Sequence, residues 1–104
     1  MDRNLALEFV RVTEAAALNS SFWMGKGDKI KADNAAVEAM RKTMNDIPFH
    51  GTIIIGEGEK DEAPMLYSGE KVGRHTNDNG HDWELAVDPL ECTSNLANGK
   101  PNAI

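Results

Sequence analysis

Glu84-Leu85-Ala86-Val87-Asp88-Pro89-Leu90-Glu91-Cys92-Thr93 is the stretch on which the reading turns. An apolar strand over 83–87 delivers Asp88 and Glu91 into a turn. Pro89 forces that turn, because proline fixes its own φ and has no N–H to give to a sheet ladder. Two carboxylates beside a hydroxyl at a strand's C-terminal end can seat a hard divalent cation, which prefers oxygen ligands. The same residues also make an ordinary acidic turn, and this stretch by itself leaves both open.

A second acidic cluster lies upstream. Gly51-Thr52-Ile53-Ile54-Ile55 is a run of β-branched residues that predicts a strand buried on both faces. It empties into Gly56-Glu57-Gly58-Glu59-Lys60-Asp61-Glu62, with carboxylates interleaved with glycine. A solvated loop is the bland explanation. The functional one is a ligand site at the C-terminal end of a strand, where open α/β sheets place them.

Ahead of these strands the spacing predicts two helices. Over Asn4–Met24, Leu5, Phe9, Val12, Ala16 and Trp23 fall within about 40° of one direction at about 100° per residue. Leu7, Val10, Leu18 and Phe22 point elsewhere, which predicts a helix packed between layers with more than one face covered. Gly25 and Gly27 end it. The loop Gly25–Lys31 reads as a solvated cationic connector or as an anion-facing loop with Lys29 reaching toward phosphate. The second helix is expected from Ala32 or Asp33 to Asn45, with Ala36, Met40 and Met44 in one stripe and Val37 and Ile47 beside it. Asp33 would then sit in its first turn, where the helix dipole alone explains a carboxylate.

Ala63–Tyr67 and Gly69–Gly73 read as a turn followed by short extended structure. Arg74–Asp82 is polar, rich in Gly, Asn and Asp, and reads as an exposed loop. His75, Asp78, His81 and Asp82 within it match no closed zinc spacing.

Composition narrows the function classes. The 104 residues suit one small domain, and a hydrophobic content of 40% is ordinary for a globular chain. A net charge of −6 argues against a nucleic-acid partner, which needs a basic face. No apolar run is long enough to span a bilayer, so no membrane partner is expected. The opening residues carry no basic region followed by an apolar core, and Cys92 is the single cysteine. Both suit a reducing cytoplasm. An acidic chain still handles a phosphorylated small molecule if metal ions lie between its carboxylates and the phosphate.

At this point the motifs resemble a known family. Trp23-Met24-Gly25-Lys26-Gly27-Asp28-Lys29 with Ala32-Asp33, Ile55-Gly56-Glu57-Gly58-Glu59 with Asp61-Glu62-Ala63-Pro64-Met65-Leu66-Tyr67, and Val87-Asp88-Pro89-Leu90-Glu91 with Thr93 are similar to the class II fructose-1,6-bisphosphatases of bacteria. That family belongs to the lithium-sensitive, metal-dependent phosphatases. The resemblance implies an α/β (α+β layered) fold, with N-terminal helices packed on a partial mixed sheet of the sugar phosphatase fold. Because family members are much longer, it also implies that residues 1–104 form the N-terminal part of a single, truncated phosphatase domain.

The roles the resemblance implies are specific. Asp33 and Glu57 would hold one Mn2+ or Mg2+, and Asp88 and Glu91 a second, with the Leu90 carbonyl as a further ligand. Glu91, Cys92 and Thr93 would contact the substrate phosphate, Thr93 would orient the attacking water, and Lys29 and Asp61 would support the site. The implied reaction releases the 1-phosphate of fructose 1,6-bisphosphate, in gluconeogenesis and glycerol metabolism, from a homo-oligomer of the full-length protein. Two residues depart from the family pattern. Cys92 stands where glycine is expected and Ile30 where asparagine is usual. The larger departure is length, since the resemblance implies that the remainder of the longer family members supplies another metal-binding glutamate and most sugar contacts. Weak or absent turnover is therefore expected of this chain. The alternatives are a related inositol- or sugar-phosphate phosphatase, or a non-catalytic metal-binding remnant.

Overall fold

The computed structural model describes residues 3–61, 63–74 and 81–104. Along the chain lie α1 (Arg3–Ser21), α2 (Lys29–Asn45), β1 (His50–Ile55), β2 (Lys71–Val72), β3 (Asp82–Ala86) and α3 (Thr93–Ala97). The fold is α+β with a three-stranded mixed sheet in the order β2-β1-β3. The contacts divide the chain into two units, one of residues up to Met40 with Pro89–Ile104, the other of Arg41–Asp88. Among the described residues no helix is long and apolar enough to cross a membrane.

In the first unit, α1 buries the predicted stripe. Val12 and Ala16 are buried, and Leu5, Phe9 and Trp23 are half-buried. The second apolar face is open, contrary to the expectation from the sequence: Leu7 is 64% exposed, Leu18 66% and Phe22 71%. Helical spacing shows which residues share a face, but burial also needs a neighbour to lie against it. After α1 the chain turns at Gly25 and Gly27, both near φ +73°. Such left-handed turns suit glycine. Their N–H groups donate to the carbonyls of Leu96 and Ala97 at 2.9 and 2.6 Å. The loop is thereby docked on the end of α3. The ammonium groups of Lys26 in the loop and Lys31 in α2 lie 5.5 and 5.4 Å from the centre of the Trp23 ring, so the indole engages a cation from each.

The start of α2 departs from expectation by one turn. Asp28, not Asp33, is its cap: the Asp28 carboxylate accepts the Lys31 N–H at 3.0 Å, and its carbonyl accepts the Ala32 N–H at 3.1 Å. The side-chain oxygen satisfies a donor that the helix leaves orphaned, and this fixes the start at Lys29. Lys29 is therefore helical, and Asp33 lies beyond the first turn with no capping reason to be there. The buried stripe of α2, with Ala36, Val37, Met40 and Met44, matches the spacing.

In the second unit, β1 pairs parallel with β3 (Thr52 opposite Glu84, Ile53 opposite Leu85) and antiparallel with β2 (Gly51 opposite Val72). Burial on both faces does not hold for the end of β1, where Ile54 is 47% and Ile55 64% exposed. The register shifts between Ile53 and Ile55 against the single step from Leu85 to Ala86. A bulge of this kind breaks the in–out alternation and bends the strand. Asp82 opens β3 instead of closing the loop before it. Of the expected loop, Arg74 and His81 are exposed, and residues 75–80 lie outside the described residues.

A short α3, not anticipated from the sequence, follows the Pro89 turn. Cys92 precedes it at φ 56°, ψ 52°, and its carbonyl accepts the Asn95 N–H at 2.9 Å. A side chain in that left-handed well costs about 1 kcal/mol where glycine would not. The two helix starts thus make different predictions for urea unfolding. Asp28→Ala is expected to lower stability by about 1 kcal/mol through loss of the cap. Cys92→Gly is expected to leave it unchanged or raise it by up to about 0.5 kcal/mol, the relieved backbone being set against the added freedom of the unfolded chain.

Candidate active site

In the first unit a cleft of about 510 Å³ opens between the first turns of α2 and the start of α3. Lys29, Ile30, Asp33 and Asn34 line one side; Cys92, Thr93, Ser94 and Asn95 line the other. Lys29 and Asp33, four apart on the helix, share one face. The cleft therefore gathers a cation, a half-buried carboxylate, a thiol and a hydroxyl named from the sequence. Ile30, at the usual asparagine position, stands at its edge 69% exposed and offers no hydrogen bond there.

The turn between Pro89 and α3 is held from below. Pro89 and Leu90 are buried, whereas Glu91 and Cys92 are exposed and Thr93 is half-buried. The Thr93 hydroxyl donates to the Leu90 carbonyl at 3.1 Å, which leaves its oxygen lone pairs to accept a hydrogen bond from a water or a ligand. Glu91 pairs through its backbone with Ile104 in both directions, at 2.7 and 3.2 Å, leaving its carboxylate at the surface. The free thiol of Cys92 is exposed beside the cleft.

In the second unit the parallel pairing of β1 with β3 sets both following segments at one end of the sheet. Val87, just past β3, donates to the Ile55 carbonyl at 2.8 Å. The Glu57 loop and Asp88 therefore leave from the same edge of the sheet. Glu57 is half-buried and Asp88 exposed. The loop is pinned through its backbone: the Glu57 N–H donates to the Leu66 carbonyl at 2.9 Å and the Ser68 N–H to the Gly58 carbonyl at 2.9 Å. Gly56 is required for this approach, since a Cβ there would lie 2.1 Å from the Leu66 oxygen. Asp61 is exposed in the turn that follows.

Two residues overlooked in the sequence support this loop. Leu66, fully buried, sits at φ 54°. Its N–H donates to one carboxylate oxygen of Glu70, and the other oxygen takes Nε–H of Arg41. Glu70 is only 4% exposed. Its sequence setting, Gly69-Glu70-Lys71, reads as the start of short extended structure, and Arg41 is 29 positions away. No local signal marks a buried carboxylate here.

The predicted metal donors divide two and two: Asp33 and Glu91 in the first unit, Glu57 and Asp88 in the second. Among the described residues no three His, Cys, Asp or Glu side chains stand together as a metal-binding group. The donor chemistry is nonetheless uniform, carboxylate oxygen throughout, which suits Mg2+ or Mn2+ rather than a thiophilic ion.

Comparison with known proteins gives a consistent result. The profile described as bacterial fructose-1,6-bisphosphatase, glpX-encoded, matches residues 3–104. Over all 104 residues the chain is 56% identical to fructose-1,6-bisphosphatase 1 class 2 of Escherichia coli K12, and it spans 30% of that relative's length. The same identity and the same shares hold for the class 2 enzymes of Escherichia coli O6:H1 and Shigella flexneri. With its motifs, its fold and this match over nearly every residue in agreement, the chain belongs to the family of bacterial, glpX-encoded fructose-1,6-bisphosphatases.

Proposed function

We propose that residues 1–104 contribute one part of a centre that hydrolyses the 1-phosphate of fructose 1,6-bisphosphate, giving fructose 6-phosphate and inorganic phosphate. The observation that carries this reading is the parallel β1–β3 pairing, with its 2.8 Å bond from Val87 to Ile55, which brings the Glu57 loop and Asp88 to one end of the sheet. The motif resemblance assigns Asp33 with Glu57, and Asp88 with Glu91, to two Mn2+ or Mg2+ ions. Bound there, the metal supplies a water nucleophilic at neutral pH and neutralises charge on the transferring phosphate.

The protein's own groups do the rest. Thr93 has its hydroxyl proton committed to the Leu90 carbonyl, so its oxygen accepts from the attacking water and fixes that water's direction. Lys29, on the facing wall of the same cleft, offers an ammonium to the phosphate oxygens. Glu91 to Thr93 present the turn on which the phosphate rests, and Asp61 supports the site. A cytoplasmic place in gluconeogenesis and a homo-oligomeric full-length protein complete the reading.

A second reading, a metal-binding remnant without turnover, draws on Cys92. A thiol-bearing residue in a left-handed turn occupies the phosphate-facing position where the resemblance implies glycine. This chain, which spans 30% of the relatives' length, is expected to release little or no phosphate from fructose 1,6-bisphosphate with Mn2+, and Cys92→Gly is expected not to restore release. Calorimetric titration is expected to show Mn2+ binding that Asp88→Asn weakens about tenfold, or about 1.4 kcal/mol. Dialysed protein that takes up no Mn2+ would sink both readings.

A further inference from the structure

Glu70 has no place in the proposed chemistry, yet its carboxylate is buried with both oxygens engaged. One oxygen takes the Arg41 Nε–H and the other takes the backbone N–H of Leu66, with the whole residue 4% exposed. The Leu66 carbonyl, in the peptide unit that follows, accepts the Glu57 N–H at 2.9 Å. Leu66 meets this geometry only by adopting φ 54°, a conformation a leucine avoids and holds only when its surroundings impose it. Gly56 leaves the space for that carbonyl to come in.

We infer that Glu70 is a positioning residue for Glu57, acting through the Leu66 peptide, and that its charge sets divalent-cation affinity from two bonds away. The inference rests on the proposed role of Glu57 as a metal ligand. The relay runs from the Arg41 guanidinium through the Glu70 carboxylate and the Leu66 peptide to the Glu57 backbone. A carboxylate is needed at its centre because the two donors take one oxygen each, and only an ionised carboxylate offers two acceptor oxygens and no donor. A glutamine in its place must turn its NH2 toward one of them. Lys60, over the Tyr67 ring at 5.9 Å, adds a second tie across the same loop.

Two readouts test the relay on this chain: hydrogen exchange of the Glu57 amide followed by NMR, and Mn2+ affinity from calorimetry. Glu70→Gln is expected to speed exchange of the Glu57 amide at least tenfold relative to the Val87 amide, which donates to the Ile55 carbonyl and has no bond to Glu70, and to weaken Mn2+ binding about tenfold. Gly56→Ala, which drives a methyl into the Leu66 oxygen while leaving the Glu70 pair alone, is expected to do the same. It also serves if Glu70→Gln folds poorly. Met44→Ala, a cavity in the buried stripe of α2, is the control: it lowers the unfolding midpoint but leaves amide and affinity unchanged. The inference is overturned if Glu70→Gln lowers stability as Met44→Ala does with the Glu57 amide still protected. It is equally overturned if the amide loosens and Mn2+ affinity stays. If Glu57→Gln itself leaves Mn2+ binding intact, the metal reading of Glu57 has failed, and the inference falls with it.

Discussion

The second unit is organised by one buried carboxylate. Glu70 is held by donors from α2 and from the Leu66 loop, and its own carbonyl accepts the Ile53 N–H of β1 at 2.9 Å. A helix, a loop and a strand thus converge on one residue. Such a pair is poor evidence of net stability, because desolvating the carboxylate costs several kcal/mol that the Arg41 partner only offsets. What it gives is uniqueness. With both oxygens engaged, the loop from Ala63 to Gly69 has few other ways to pass the end of β1, and the left-handed Leu66 is the cost of the arrangement that remains. Arg41, with its side chain 40% exposed, keeps part of its hydration, so the penalty falls mainly on the glutamate.

Much of the fold was legible because it is written in local periodicity. The buried faces of α1 and α2, the β-branched run of β1, and the strand leading to Pro89 each follow from spacing that the structure reproduces. What could not be read depends on partners distant in sequence. The second face of α1 looks burial-ready from Leu7, Leu18 and Phe22, but spacing is silent on whether a neighbour arrives. The bulge that exposes Ile54 and Ile55 arises from the register with β3, about thirty residues later, and no pattern inside Ile53-Ile54-Ile55 encodes it. The start of α2 is a different kind of miss. Asp28 is a good cap by residue type, but the glycines before it and the lysines around it disguised the turn as a loop.

The site divides along the same line. Lys29, Asp33, Cys92 and Thr93 were named from motifs and do line one cleft. Glu57 and Asp88 leave one end of one sheet. The residues that were missed, Leu66 and Glu70, act through the backbone or from inside the protein. Motif reading finds groups that touch ligands, since chemistry restricts their type. It is blind to a glutamate whose task is to hold an amide. Cys92 is instructive because the resemblance implies glycine there, and the structure places a cysteine in the left-handed well that glycine enters most easily, at φ 56°.

The constraint that brings the Glu57 loop and Asp88 to one end of the sheet is the direction of a strand. β3 runs parallel to β1, so the ends of both strands, and the acidic segments that follow them, lie side by side. Had β3 paired antiparallel over the same five residues, Asp88 would have left the sheet at the opposite end, roughly 17 Å away at about 3.3 Å per residue. The same carboxylates at the same places in the sequence would then be two unrelated acidic turns. Parallel pairing needs a long crossover, and residues 56–81 provide one that also contains β2, Leu66 and Glu70. The crossover that makes the strands parallel is therefore the segment that fixes the Glu57 loop, and orientation and positioning are carried by the same stretch of chain.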